Sequence, residues 1–326
     1  MKICITIRIK SIKNILWVVI LKKIANFCIV LALLTLYNLS QAQPIPNFPI
    51  LKISNENRSI LLVGSNHTAP LNIYDHSAAQ TLAAANSLCL EVLPSEREAA
   101  IKTMRATMLN NTGRTLVQRH GQSVADEVTV ALSWNSLLTN RLNNLSDQAL
   151  GTLLWIVPTV DQDHPPATMR PDYSIDASLL NFAMQHNLKL GSIEDLDAIE
   201  KSSLNITQEK WSDYLKKSLE LSKCKECQRE LAKHMAQQYV PSANYEDAYK
   251  EVHAAFGSNE SLFNYYDEIN IRSRNVGLAQ NIYTRALNLG ECDVVAVGAT
   301  HLGGPHGIVA LLKKIGVKVS SRYVDN

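Results

Sequence analysis

The sequence predicts an α/β fold, with a mainly parallel sheet core, an N-terminal β-hairpin and a large helical insertion. Three observations predict it. Short apolar strands alternate with stretches of helical periodicity. Two apolar segments near the start flank a polar turn, Asn55-Glu56-Asn57-Arg58. A run over about 95–288 reads as helix and is interrupted by a strand near 189–193.

The elements follow in order. Leu51–Ser54 and Ser59–Gly64 are the arms of the hairpin. Ser77–Ala85 is Ala-rich and helical. Ser87–Leu93 alternates, with Leu88, Leu90 and Val92 on one face and Cys89, Glu91 and Leu93 on the other. Helical patterning runs from Ser95 to about Leu154, and the prolines of Val157–Pro171 mark a loop. Ile175–His186 reads as helix, Lys189–Ile193 as strand and Glu209–Asn288 as a long helical region. Asp293–Val297 is a buried strand, Gly304–Ile315 a helix and Val317–Tyr323 a last strand.

Charge is unevenly placed. Of the 32 Lys and Arg residues, six fall within residues 1–42, which hold no Asp or Glu. The remainder is mildly acidic, which argues against nucleic acid as a partner. Lys22-Lys23, the apolar run 24–37 and Ser40-Gln41-Ala42 together describe a secretory signal. The expectation is cleavage near Ala42–Gln43, a domain over 43–326 and a secreted or periplasmic protein. The competing expectation keeps the segment as a membrane anchor, the chain's one route to a membrane. An over-extended gene start is a third reading. Oligomeric state is not legible.

Beyond residue 42 the cysteines are Cys89, Cys224, Cys227 and Cys292. Cys224 and Cys227 lie close together in a polar helical stretch without a second Cys pair, which predicts a local structural disulfide. Cys89 and Cys292 lie on strands, as buried thiols or as a second bridge.

Two strands run into the same pattern. Leu61–Val63 leads into Gly64-Ser65-Asn66-His67, and Val294–Val297 into Gly298-Ala299-Thr300-His301. Ligands of open α/β sheets sit outside the strand carboxyl ends, so His67 and His301 are candidate metal ligands. Glu91 and Glu194 fall at equivalent strand ends. The bland alternative pairs Glu91 with an Arg and makes the histidines hydrogen-bonded loop residues.

Leu61–His67, Leu88–Leu93, Asp176–Asp195 with its Gly191-Ser192-Ile193-Glu194, Arg274-Asn275 and above all Val295–Val319 resemble the TraB/GumN family, which also holds the Tiki metalloproteases. The resemblance implies a metal centre of His67, Glu91 and His301. It also implies that Arg274 reaches the site, to hold a substrate carboxylate or stabilise an oxyanion. Asn66, Glu194 and His306 would stand behind the ligands. The chain departs from the family pattern at Ser65-Asn66, at Gly191–Glu194 and at His306, where the family commonly has Asp.

The expected function is a metal-dependent hydrolase, a peptidase acting on peptide or protein substrates with manganese, cobalt or zinc as cofactor. Glu91 is either a ligand or the base that activates water. The alternative is a non-catalytic binding or regulatory protein that uses the same pocket for a ligand, metal or haem.

Overall fold

The computed structural model describes residues 48–65, 82–96, 98–99, 102, 108–133, 139–156, 175–197, 206–237, 242, 244–257 and 259–321. The expected signal segment 1–42, the loop 157–171 and most of the Ser77–Ala85 helix lie outside them. The folded unit is Pro46–Asn326.

Six strands form one sheet: β1 (Ile50–Ser54), β2 (Ser59–Ser65), β3 (Ser87–Leu90), β4 (Lys189–Ser192), β5 (Val294–Gly298) and β6 (Lys318–Ser321). Their order is β4-β3-β5-β2-β1-β6. β4, β3, β5 and β2 run parallel, while β1 is antiparallel to β2 and to β6. The hairpin turn is closed by Asn55, whose Oδ1 accepts the N–H groups of Asn57 (3.0 Å) and Arg58 (2.8 Å). Such Asx turns are what Asn offers the backbone.

The strands read as continuous apolar runs because both faces of the sheet are covered. Leu51, Ile53, Leu62, Cys89, Val295 and Val297 face one layer, and Ile50, Leu61, Val63, Leu88, Leu90, Val294 and Ala296 face the other. This is the period-2 alternation of a strand with apolar residues at every position.

Ten α-helices are described. α1 is Leu116–His120, α2 Gln122–Ala131, α3 Asp147–Ile156, α4 Ile175–Gln185 and α5 Gln208–Lys223. α6 is Lys225–Gln237, α7 Asp247–Ala255, α8 Glu260–Tyr266, α9 Ser273–Asn281 and α10 Ile308–Lys314. α9 and α10 cover the first sheet face through Leu278, Ala279, Ile308, Val309 and Leu312. α4 covers the second through Ile175, Leu179, Phe182 and Ala183. The inserted helices bury two further apolar clusters, one of them rich in aromatic residues around Trp155, Trp211, Tyr214 and Phe263. Trp155 donates to the Tyr214 hydroxyl at 2.5 Å. Burial pushes the Tyr214 phenol above its ordinary range. A buried polar knot ties the insertion together. Asp147 accepts from Arg119, pairs with His120 Nε2 at 2.9 Å and accepts from Gln208 Nε2 at 2.7 Å. These contacts satisfy the buried side chain of Asp147 from two other segments of the insertion.

Three boundaries differ from expectation. β3 ends at Leu90, so Glu91 lies just past the strand and not within it. β4 ends at Ser192, which puts Glu194 two residues beyond it. The helix expected from Gly304 begins at Ile308, because Gly304 has φ of +80° and the Gly307 N–H turns back to the Gly304 carbonyl at 3.1 Å.

Two disulfides are present, Cys89–Cys292 and Cys224–Cys227. The first joins β3 to the residue two before β5. Gly191, opposite Cys89 on β4, gives the sulfur room, since a Cβ there would stand 3.0 Å from Cys89 Sγ.

Gly64 shows how tightly the strand ends meet. A Cβ there would lie 2.4 Å from Pro49 Cγ and 2.8 Å from Leu302 Cδ1. We expect Gly64→Ala to cost about 1–3 kcal/mol through overpacking. A urea midpoint unchanged from the native protein would refute this.

Candidate functional site

β2 and β5 lie side by side in parallel register, with Gly64 opposite Val297 and Ser65 opposite Gly298. The two repeated motifs therefore leave the sheet from adjacent strands at the same edge. His67 and Asn66 themselves lie outside the described residues. β3 and β4 end at the same edge, which brings Glu91 and Glu194 there, and the Glu194 N–H donates to the Glu91 carbonyl at 3.0 Å. Cys89 faces the layer that holds α9, and Glu91, one residue past the end of β3, meets Arg274 of that helix.

α9 sits between two π-helical segments, Asp267–Arg272 and Ile282–Asn288. Such wider turns shift side-chain register within a helix and recur at functional sites. α9 is tied to three strand ends at once. Arg274 Nε donates to Glu194 Oε1 at 2.6 Å, and its Nη2 to Glu194 Oε2 at 2.6 Å and to Glu91 Oε2 at 2.9 Å. Asn281 Nδ2 donates to the Ile193 carbonyl at 2.9 Å. Asn275, fully buried, reaches the loop after β5.

The Asn275 contacts fix the state of His301. Its Nδ2 donates to the His301 carbonyl at 3.1 Å and to the His306 carbonyl at 2.8 Å. Carbonyls only accept, so the amide cannot be flipped. Asn275 Oδ1 must then accept, and it lies 2.6 Å from His301 Nδ1. The proton therefore sits on Nδ1, and in the neutral ring Nε2 carries the lone pair. Gly298 stands between this ring and Glu91. Its N–H donates to Glu91 Oε1 at 2.5 Å, and a Cβ on it would meet Oε1 at 3.2 Å and His301 Cδ2 at 3.4 Å.

One guanidinium serves two carboxylates. Burial pushes Glu194 above the usual carboxylate range, the Arg274 contacts pull it back, and the Glu91 charge pushes it up again. Burial works against the charge on Arg274, but Glu91 and Glu194 together raise its pKa and keep it protonated.

The structure thus brings Glu91, Glu194, Arg274 and His301 together. Arg274, expected to meet substrate, is engaged by the two carboxylates. The exposed His306 joins only through its backbone carbonyl. Asn275, quoted beside Arg274 among the segments that carry the resemblance, is a residue of the cluster to which the sequence reading assigned no role. Its signal was adjacency to Arg274, which places it one step round the same helix. Among the described residues, no group of three or more His, Cys, Asp or Glu side chains is set to hold a metal. The donor chemistry of the pair beside Gly298 still fits a divalent ion. His301 has the outer hydrogen bond that metal-binding histidines use, and each Glu91 oxygen has two lone pairs, so accepting one N–H does not bar another partner.

Helices on both faces of a mostly parallel sheet, with a polar cluster beyond the strand carboxyl ends, define an α/β protein with a candidate site where ligands of such sheets bind. The model of the TraB/PrgY/gumN family matches residues 49–321, and the chain belongs to that family. No curated protein and no solved structure matches it.

Proposed function

We propose that the chain is a metal-dependent hydrolase that acts on peptide bonds outside the cytoplasm. The observation that carries this reading is the Asn275–His301 pair, which puts the ring proton on Nδ1 and the lone pair on Nε2, with the ring and Glu91 both close against Gly298 at the strand carboxyl ends. His301, Glu91 and His67 would hold the ion, and manganese, cobalt and zinc all accept such His/carboxylate ligation. A bound ion would polarise the scissile carbonyl and lower the pKa of a water towards neutrality. Glu91 is aimed by the Gly298 N–H and by Arg274, so its carboxylate direction is set before substrate arrives. Glu194 holds Arg274 in place for that task. Two disulfides support an oxidising compartment. Among the described residues no helix is long and apolar enough to cross a membrane.

A second reading has its own support. Arg274, Glu91 and Glu194 largely satisfy one another, an arrangement that suits a ligand-binding or regulatory pocket as well as a catalytic one.

Metal analysis and peptide hydrolysis by the full chain, with and without chelator, test both readings. We expect His301→Ala to lose most of the metal with its circular dichroism unchanged. Asn275→Ala should weaken metal affinity by about 10–100-fold. His306→Ala should change little. Unchanged metal content in both His301→Ala and Glu91→Gln would remove the metal centre. Stoichiometric metal without hydrolysis of any peptide would favour the second reading.

A further inference from the structure

The two disulfides differ in what governs their exchange chemistry. Cys89 and Cys292 are 3% and 0% exposed, whereas Cys227 is exposed and Cys224 half-buried. Cys89 and Cys292 are 203 residues apart in sequence, while Cys224 and Cys227 are 3 apart. Loop closure therefore protects the second bridge much less.

The position of Cys224 adds a chemical bias. It immediately precedes α6, and its carbonyl accepts the first helical bond, from the Gln228 N–H at 2.9 Å. The Cys227 N–H donates to Cys224 Sγ at 3.1 Å, the bond a capping side chain takes from the third helical residue. When the bridge is open, that N–H and the positive end of a 13-residue helix face the Cys224 sulfur and favour its thiolate. Lys223 and Lys225 flank it. Glu226 opposes them, and the Lys223 ammonium is shared with Glu127.

We infer that Cys224–Cys227 is a thiol–disulfide exchange site whose redox partner is a dithiol. The thiolate of the dithiol attacks the exposed Cys227 Sγ. The Cys224–Cys227 bond breaks, and Cys224 leaves as a thiolate stabilised at the helix start. The second thiol of the dithiol, having given up its proton, attacks the mixed disulfide and releases Cys227. Two electrons pass to the protein and the dithiol becomes a disulfide; of its two protons, one is taken up by Cys227 and the other by Cys224 or, where Cys224 stays a thiolate, by solvent.

The full chain, equilibrated in graded ratios of reduced to oxidised dithiothreitol, alkylated and read by peptide mass, tests this. Cys224 and Cys227 should become labelled together under mild reduction, while Cys89 and Cys292 stay linked in folded protein. In Cys227→Ser, the backbone N–H remains, and the pH midpoint for alkylation of Cys224 should fall at least about one unit below the ordinary thiol value of roughly 8.5. Labelling of all four cysteines at the same ratio, or of none before unfolding, overturns the inference. A Cys224 midpoint at or above the ordinary value overturns it as well.

Discussion

Replacing Arg274 by Met should cost about 3 kcal/mol, towards the low end for breaking a buried ion group, because the guanidinium is partly exposed. The change leaves Glu91 and Glu194 beside each other with no cation between them. Their side chains are only 12% and 5% exposed. Each would disfavour ionisation of the other, so both folded-state pKa values would rise above the unfolded value of about 4.3. A raised pKa contributes stability below the unfolded value and loses it as pH rises through the folded value. The deficit of Arg274→Met should therefore be small near pH 4 and largest at neutrality. Glu194, already raised in the native protein, has the same sign. Glu194→Gln should be much milder, because it removes a carboxylate whose ionised form burial disfavours and leaves Arg274 paired with Glu91. Urea unfolding of both variants from pH 4 to 8 separates these cases. A deficit in Arg274→Met that does not vary with pH would show that the carboxylates find other partners.

Removing the Cys89–Cys292 bridge, as Cys89→Ala with Cys292→Ala, should have the largest effect of all. The loop-closure relation gives roughly 5 kcal/mol for residues this far apart, and only about 2 kcal/mol for the short Cys224–Cys227 loop. The two buried sulfur positions add a packing loss. For a domain of this size the melting temperature should fall by roughly 10 °C or more. Scanning calorimetry of both double variants checks the ranking. A larger fall for Cys224→Ser with Cys227→Ser would reverse it.

The fold was legible where both sheet faces are apolar, because runs such as Leu61–Val63 and Val294–Val297 are short, end at Gly and include β-branched residues, which suits buried strands. The site was legible to the extent that strand ends aim side chains, which applies to Glu91 and His301. Other features depend on contacts between distant residues. Nothing local couples Cys89 to Cys292. The helix expected over Gly304–Ile315 was placed four residues too early, since the turn there depends on backbone conformation and not on pattern. Arg274 was expected at the site from resemblance, yet its partners are set by how α9 crosses β3 and β4. Asn275 acts through hydrogen bonds to His301, 26 residues away, and to the His306 carbonyl, and no periodicity encodes them.

The strand order has a consequence for the time course of folding. Among the described strands, β5 alone joins the β1–β2 hairpin to the β3–β4 pair, and it is made after the whole helical insertion. During synthesis the growing chain holds two unconnected fragments of sheet, each with an open edge, until residues 294–298 have emerged. The inserted helices have their own apolar clusters and can compact first, whereas the sheet must wait for contacts of high sequence separation. Oxidation follows the same clock: Cys224 and Cys227 can pair while β5 is still unmade, and Cys89 has no native partner until Cys292 arrives. Any bond Cys89 forms in the interval is a non-native one that must be exchanged before the sheet can close.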